Sequence, residues 1–402
     1  MNKRKPILAA GVDAGSSSTR CVILAVEDER VRYLGHGEHA SRGWTKGRLA
    51  DQQSVAESVR WAVRSAEQAA MHAVESAVIG LGGPGVVGGT ARWPYEFGRP
   101  RKLDTADLEY AIRRASRVQM DEDRLLLQVF PQDFTVDGRS GFRNPKGMTA
   151  ELLEAHVHLV TASAQEHQCL VNALHSASLG VEETVFEPMA AAYAALRWEE
   201  RRQGVVLLDI GMQSTDIVVY HGDSLLCTTS IPMGGEQFTN DVAYGLTVAP
   251  EEAEQLKLQM GCAMVDLTSA KSIIEIPSPE GRPPRQALRR DLSLILQVRA
   301  EELFEKLREA IDDCGMTQQL LQGALLTGGG SRLPGLLELA ERMLGCPVRP
   351  AVVDADGIAD LPETLEDPAW TTATGLAMYS ARIRLRKEST KRAPGFLGLV
   401  FR

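Results

Sequence analysis

Closely spaced cysteines are missing from this 402-residue chain: Cys21, Cys169, Cys227, Cys262, Cys314 and Cys346 are scattered, with no Cys-x-x-Cys and no histidine at ligand spacing. That pattern reads as a protein of a reducing compartment. The length is ample to bury several cores, so no staple of disulfides or structural metal is required. A basic excess is also missing. A formal net charge of −9 argues against general nucleic-acid binding, which needs a basic face. No window approaches the roughly 20 apolar residues of a spanning helix. Basic residues precede an apolar stretch in MNKRKPILAAGVDAG, but Asp13 cuts that run short and no small-residue cleavage site follows, so no signal peptide is expected.

What is present is a duplication. ILAAGVDAGSSSTRCVILAV reads as strand, tight turn, strand, and GVVLLDIGMQSTDIVVYHG reads the same way. Both carry Asp-x-Gly at the end of the first strand (Asp13-Ala14-Gly15 and Asp209-Ile210-Gly211), then hydroxyl residues, then a β-branched strand. A strand–turn–strand repeated this far apart points to two related domains rather than a solenoid.

Helical spacing of Val55, Val59, Ala62, Val63 and Ala66 predicts a helix over 53–70. Asp104 or Thr105 caps another, with Leu108, Ile112, Ala115 and Val118 on its apolar face. Residues 155–160 alternate as a strand, placing His156 and His158 together; an exposed polar face is the expectation, with metal binding the alternative. Helices are expected over 250–260 and 291–314. An apolar strand, 324–327, ends in Gly328-Gly329-Gly330, and Ser331 is read as the cap of a helix stopped by Gly345. The stretch around Pro277, Pro283 and Pro284 reads as an exposed loop.

A phosphate chain needs backbone N–H donors, hydroxyls and a place for magnesium. A turn with Gly15 followed by Ser16, Ser17 and Ser18 supplies the first two. Two such turns facing each other would aim Asp13 and Asp209 at one ion, and magnesium accepts one or two carboxylates while keeping waters. Either turn alone is equally an ordinary polar hairpin. Gly328-Gly329-Gly330 would let a ring or phosphate approach the backbone, and Gly234-Gly235 after a short strand is a weaker signal of the same kind.

The order of these parts resembles that of the superfamily of actin, sugar kinases and chaperone ATPase domains. VDAGSSSTR and LLDIGMQSTDIVVY resemble its two phosphate motifs, FEPMAAAYAAL and TATGLAMYS its connecting helices, and ALLTGGGSRLPGL its adenosine motif. The resemblance implies an α/β, two-lobed, actin-like (ribonuclease H-like) fold with duplicated domains and an inserted α+β subdomain. It implies ATP and Mg2+ as ligands. Asp13, Gly15, Ser16, Ser17, Asp209, Gly211 and Ser214 would hold phosphates and metal, and Gly329, Gly330 and Ser331 the nucleoside. Glu254 and Lys257 match residues that contact ribose and adenine, or are an exposed helix ion pair. Glu187 matches the position that polarises the attacking water, or is a carboxylate stabilised near a helix N-terminus.

Within that superfamily, SRGWTKGRLAD, VFPQDFTVDG and NPKGM resemble segments of the FtsA family of bacterial cell-division proteins. That resemblance implies a first lobe from 1–83, 161–200 and 370–388, an inserted subdomain at 84–160, and a second lobe from 201–235 and 315–369. A helical subdomain at 236–314 and a tail at 389–402 complete the division. It also implies filaments formed with ATP and a tether to FtsZ at the inner face of the cell membrane. The basic run 382–392 and Phe396, Leu397, Val400 and Phe401 would make the membrane contact, unless the arginines are merely the solvated face of a terminal helix. Two departures stand out. Ser18 occupies the place of the family's usual lysine, and Met212-Gln213 that of glycines, at a strain cost on the order of 1 kcal/mol each if φ must be positive. At most a slow ATPase is therefore expected. The alternatives are an actin-like pilus or secretion scaffold, a nucleotide-binding pseudo-ATPase adaptor, and a small-molecule kinase, for which no catalytic aspartate is identifiable.

Overall fold

The computed structural model describes residues 6–27, 30–276, 283–314, 323–354 and 357–392, with side chains described as far as Lys387. The apolar strand Ile7–Ala14 turns through Gly15, Ser16 and Ser17 into Ser18–Glu27, and Arg30–Ala40 completes an antiparallel meander. Ser76–Leu81 and Gly180–Phe186 join in parallel on the other side of the first strand, and Ile358–Ala359 extends the far edge. The second sheet repeats this plan. Val205–Ile210, Thr215–His221 and Ser224–Ile231 form the meander, and Ala324–Thr327 and Val348–Pro350 are the parallel neighbours. The duplication read from two short hairpins thus extends to five strands in the same order.

Both central strands of the first sheet are buried on both faces, which suits their continuous small and β-branched runs. The helix Gln52–Ala70, capped by Asp51, covers one face; Gly35 and Gly37 let its backbone lie directly on the third strand. The opposite face receives the helices Glu187–Ala195 and Thr371–Arg392. Their contact is set by missing side chains: a Cβ on Gly11 would overlap the backbone at Ala377, and one on Gly375 would overlap Ala190. The second sheet is covered by Gly235–Leu246, Arg289–Asp313 and Leu336–Leu344, whose Phe238, Phe304 and Leu339 sit in one core with Leu208 and Leu326.

Between Ser76–Leu81 and the helix Ala164–Ser176 the chain leaves the first lobe to build a separate sheet, ordered Val87–Lys102, Thr149–Ser163, Arg124–Val136, Arg139–Phe142. The helix Thr105–Ala115 lies on it; Asp104 accepts from the Asp107 amide while Asp107 accepts from the Asp104 amide. Leu108 and Ala115 of the expected face are buried and Ile112 is half-buried, but Val118 lies beyond the helix end and is exposed. This inserted sheet docks on the edge strand of the second lobe. Gln132 Nε2 donates to Leu225 O at 3.2 Å, Arg143 donates to Ser224, and His158 Nε2 and Thr228 Oγ1 share a hydrogen bond of 2.9 Å.

Several expectations are corrected by tertiary packing. His158 is buried against the second lobe rather than exposed, and burial lowers its pKa to about 4; His156 stays half-exposed between Asp133 and Glu154. Cys227 and Cys314, 87 residues apart, form a disulfide between the edge strand and the end of the long helix, so not all six cysteines are free thiols. Ser331 does not cap a helix: its hydroxyl donates to Gly328 O at 2.7 Å inside a 3-10 turn, and the next helix starts at Leu336 after Gly335 in the left-handed region. Neither Met212 nor Gln213 has positive φ, so their side chains cost no backbone strain. Arg384 is not simply solvated but pairs with Glu182. Pro277 and the apolar tail lie outside the described residues; Pro283 and Pro284 are exposed.

Candidate functional site

The two hairpin turns face each other across a cleft of about 500 Å³. Strand register decides what each presents. Asp13 lies opposite Arg20, and Asp209 opposite Asp216, so the same place in each repeat holds an acid–base pair in one lobe and two acids in the other. Asp209 Oδ2 accepts from Thr372 Oγ1 at 3.0 Å, and both oxygens of Asp216 lie 3.0 Å from the donating Gly83 amide. Glu187, first residue of its helix, fits because Gly80 and Gly82 carry no side chains; a Cβ on Gly82 would collide with both Glu187 and Asp216.

Four carboxylates from both lobes therefore share a buried space with one guanidinium. Burial raises the pKa of Asp13 to about 7, against the opposing pull of Arg20, and that of Asp209 to about 6. Asp216 is also raised to about 7 by burial, with the Gly83 amide acting in the other direction. Glu187 is raised well above the carboxylate range by burial and then by the charges of Asp13, Asp216 and Asp209. Crowded acids in a dry site favour their protonated forms until a cation arrives. Among the described residues no three such side chains converge as direct ligands.

The structure brings Asp13, Gly15, Ser16, Ser17, Ser18, Asp209, Gly211, Ser214 and Glu187 onto one lining. Gly329 and Gly330 line it too, and a Cβ on Gly329 would point into open space. Glu254 and Lys257 are no exposed pair: Lys257 Nζ lies 2.7 Å from Glu254 Oε2 and donates to Gly235 O at 2.9 Å and Thr239 Oγ1 at 2.8 Å. Two expected residues stand behind the wall. Ser331 faces into its own turn, and Gly234 presses on Gly211 while its neighbour Gly235 reaches the lining.

Sequence reasoning missed Arg20, Asp216, Thr372 and the Gly82-Gly83 turn. A signal for the first two exists: Ser18-Thr19-Arg20 and Ser214-Thr215-Asp216 occupy equal offsets from Asp13 and Asp209. The loop Trp44–Leu49, part of the SRGWTKGRLAD segment, is read in sequence for its resemblance but not as part of the cleft; its Gly47 amide donates to Gln213 Oε1 at 2.6 Å.

Two lobes of ribonuclease H-like topology, closing on a carboxylate-lined cleft, make this an actin-like α/β fold. Solved structures of that shape agree. The type IV pilus biogenesis complex PilM–PilN superposes with TM-score 0.67 over 93% of this chain and 98% of that one at 19% identity. MreB5 of Spiroplasma citri bound to AMPPNP superposes with TM-score 0.55 over 96% and 99% at 12% identity. Residues 206–375 match the family model described as Cell division protein FtsA, and residues 97–161 match the SHS2 domain inserted in FtsA. Cell division protein FtsA of Pseudomonas aeruginosa is 32% identical over 95% of this chain and 90% of its own length. The Escherichia coli protein of that description is 30% identical over 95% and 92%. The chain belongs to the FtsA family of cell-division proteins.

Proposed function

We propose that the chain binds ATP with magnesium in this cleft, and that the bound form assembles into filaments at the inner face of the cell membrane and tethers FtsZ there. The observation that carries the nucleotide part is the set of four buried carboxylates contributed by both lobes, a costly arrangement without a cation to share. Gly329 on the same lining, where a Cβ would meet nothing within 4 Å, leaves room for a flat ring.

In this reading Gly15, Ser16, Ser17, Ser18, Gly211 and Ser214 bind the phosphates through amides and hydroxyls. Asp13 and Asp209 hold the water shell of the metal. Gly329 and Gly330 lie against the nucleoside, and the paired Glu254 and Lys257 fix the ribose edge. ATP supplies the phosphoanhydride bond. Glu187 accepts a proton from the attacking water only while ionised, and its neighbours oppose that ionisation. Slow turnover follows, which also favours the reading of a nucleotide-gated adaptor. Filament and membrane functions are supported by family membership. The division of the chain into lobes at 1–83, 161–200 and 370–388, and at 201–235 and 315–369, with inserts at 84–160 and 236–314, belongs to the same proposal, except that Ile358–Ala359 of the last range pairs with Arg30–Ala40 of the first sheet and goes with the first lobe.

Calorimetry with ATP and magnesium on the intact chain and on Asp209→Ala tests the core of it. Micromolar binding lost in the variant supports the cleft; no binding to the intact chain overturns it. Co-sedimentation of the ATP-loaded chain with FtsZ on anionic vesicles tests the rest, and a chain that stays in the supernatant refutes the tether.

A further inference from the structure

A nucleoside triphosphate brings about four negative charges to a site already crowded with acids, so a cation must meet it. The turns provide none: Ser16, Ser17, Ser18 and Ser214 are neutral. Of the basic side chains on the lining, Lys257 directs its ammonium to Glu254, Gly235 O and Thr239. Arg332 is committed to Asp367, and Arg48 is largely exposed and paired with Glu166.

Arg20 differs. It sits in the middle of a row across three strands, opposite Asp13 on one side and Glu38 on the other. Its side chain is 10% exposed, its Nη2 lies 2.7 Å from Glu38 Oε1, and its guanidinium stands 5.5 Å from the centre of the Trp370 ring. Its Nε is buried with no hydrogen-bond partner, and the residue lines the cleft with Asp13 and Ser18. A buried unsatisfied N–H on a charged group is costly. The fold therefore leaves this cation on the cleft lining with donor capacity it does not use.

We propose that Arg20 is the cationic phosphate-binding residue of this cleft, held in place by Glu38 and Trp370 so that its charge meets the polyphosphate of a bound nucleotide. This rests on the reading of the cleft as a nucleotide site. It also accounts for a turn with serine rather than a cationic side chain at position 18, since the charge arrives from the second strand of the same hairpin.

The test is the ratio of affinities for ATP and adenosine, measured with magnesium on the full chain by calorimetry and competition. Arg20→Met is expected to weaken ATP by about 10- to 100-fold, the worth of a charge-assisted hydrogen bond, and to leave adenosine within about threefold. Arg20→Lys should recover part of the ratio, which a purely structural role would not require. If Arg20→Met melts without cooperativity, Arg20→Gln, which keeps a donor for Glu38, is read against the same ratio. An unchanged ratio in a folded variant overturns the assignment and leaves the nucleotide reading standing. An intact chain that binds neither ligand brings down both.

Discussion

The Gly47 amide donates to Gln213 Oε1 at 2.6 Å, a bond between the Trp44–Leu49 loop of the first lobe and the Gly211–Ser214 turn of the second, 166 residues away. The same carboxamide reaches Glu236 through Nε2 at 3.4 Å. A residue that reads in sequence as a departure from a glycine-rich turn is therefore a clasp across the cleft mouth. Gln213→Ala removes one acceptor at a partly buried site, a loss of about 0.5–1.5 kcal/mol in chemical denaturation. Release of a fluorescent ATP analogue should quicken by roughly 2- to 10-fold on the same grounds; stopped-flow rates equal to those of the intact chain would disprove the clasp.

The acid cluster makes the ligand-free protein less stable as pH rises. Asp13 and Asp216 titrate at about 7 and Asp209 at about 6 in the fold, against about 4 unfolded. The folded chain thus holds more protons than the unfolded one through that window, and unfolding free energy falls with increasing pH. His158, at about 4 in the fold, acts the opposite way, mostly below about pH 6.5, and becomes neutral in both states as pH rises past about 7. Between pH 6.5 and pH 8 the three raised aspartates outweigh the residual opposing contribution of the lowered histidines: the lower urea midpoint is expected at pH 8, with a smaller drop in Glu187→Gln. A higher midpoint at pH 8 contradicts the cluster's energetics.

Two glycines should separate folding from binding. Gly375→Ala forces a methyl into Ala190 of the neighbouring helix, a backbone clash with no flexible side chain to yield. A loss of 3 kcal/mol or more, on the scale of the larger core defects, is expected. Gly329→Ala meets nothing within 4 Å, so its melting temperature should match the intact chain while ATP affinity drops at least tenfold, or ~1.4 kcal/mol. A Gly329→Ala chain that binds ATP normally would place the nucleoside elsewhere.

The Cys227–Cys314 bond closes a loop of 87 residues in separation. Loop-closure entropy alone gives roughly 4–5 kcal/mol for a loop of that size. Dithiothreitol should therefore lower the guanidinium midpoint of the intact chain and leave Cys314→Ser untouched. Equal midpoints with and without reductant would mean that the bond contributes nothing in solution.

The fold was legible because it is written locally. Each Asp-x-Gly hairpin is a contiguous run of β-branched residues around a polar turn, and the helix 52–70 shows its buried stripe in its own spacing. Glu187, Glu254 and Lys257 were legible only by resemblance, since nothing nearby in sequence shows what they face. His158 was misread because alternation along a strand tells which residues share a face, not whether another lobe covers it.

By itself the sequence determined the duplicated hairpins, the buried stripe of the helix 52–70, and the acids at the ends of both first strands, because periodicity and chain conformation are properties of neighbours. Only the tertiary structure decided which charges meet. Asp216 joins Asp13, Asp209 and Glu187 because two sheets close on one cleft, and Arg20 enters it through strand register. Cys227 meets Cys314, and Gln213 meets Gly47, through chain closures far longer than any local pattern. Electrostatics and docking depend on distance in space, and a linear pattern carries no record of that distance until the lobes have packed.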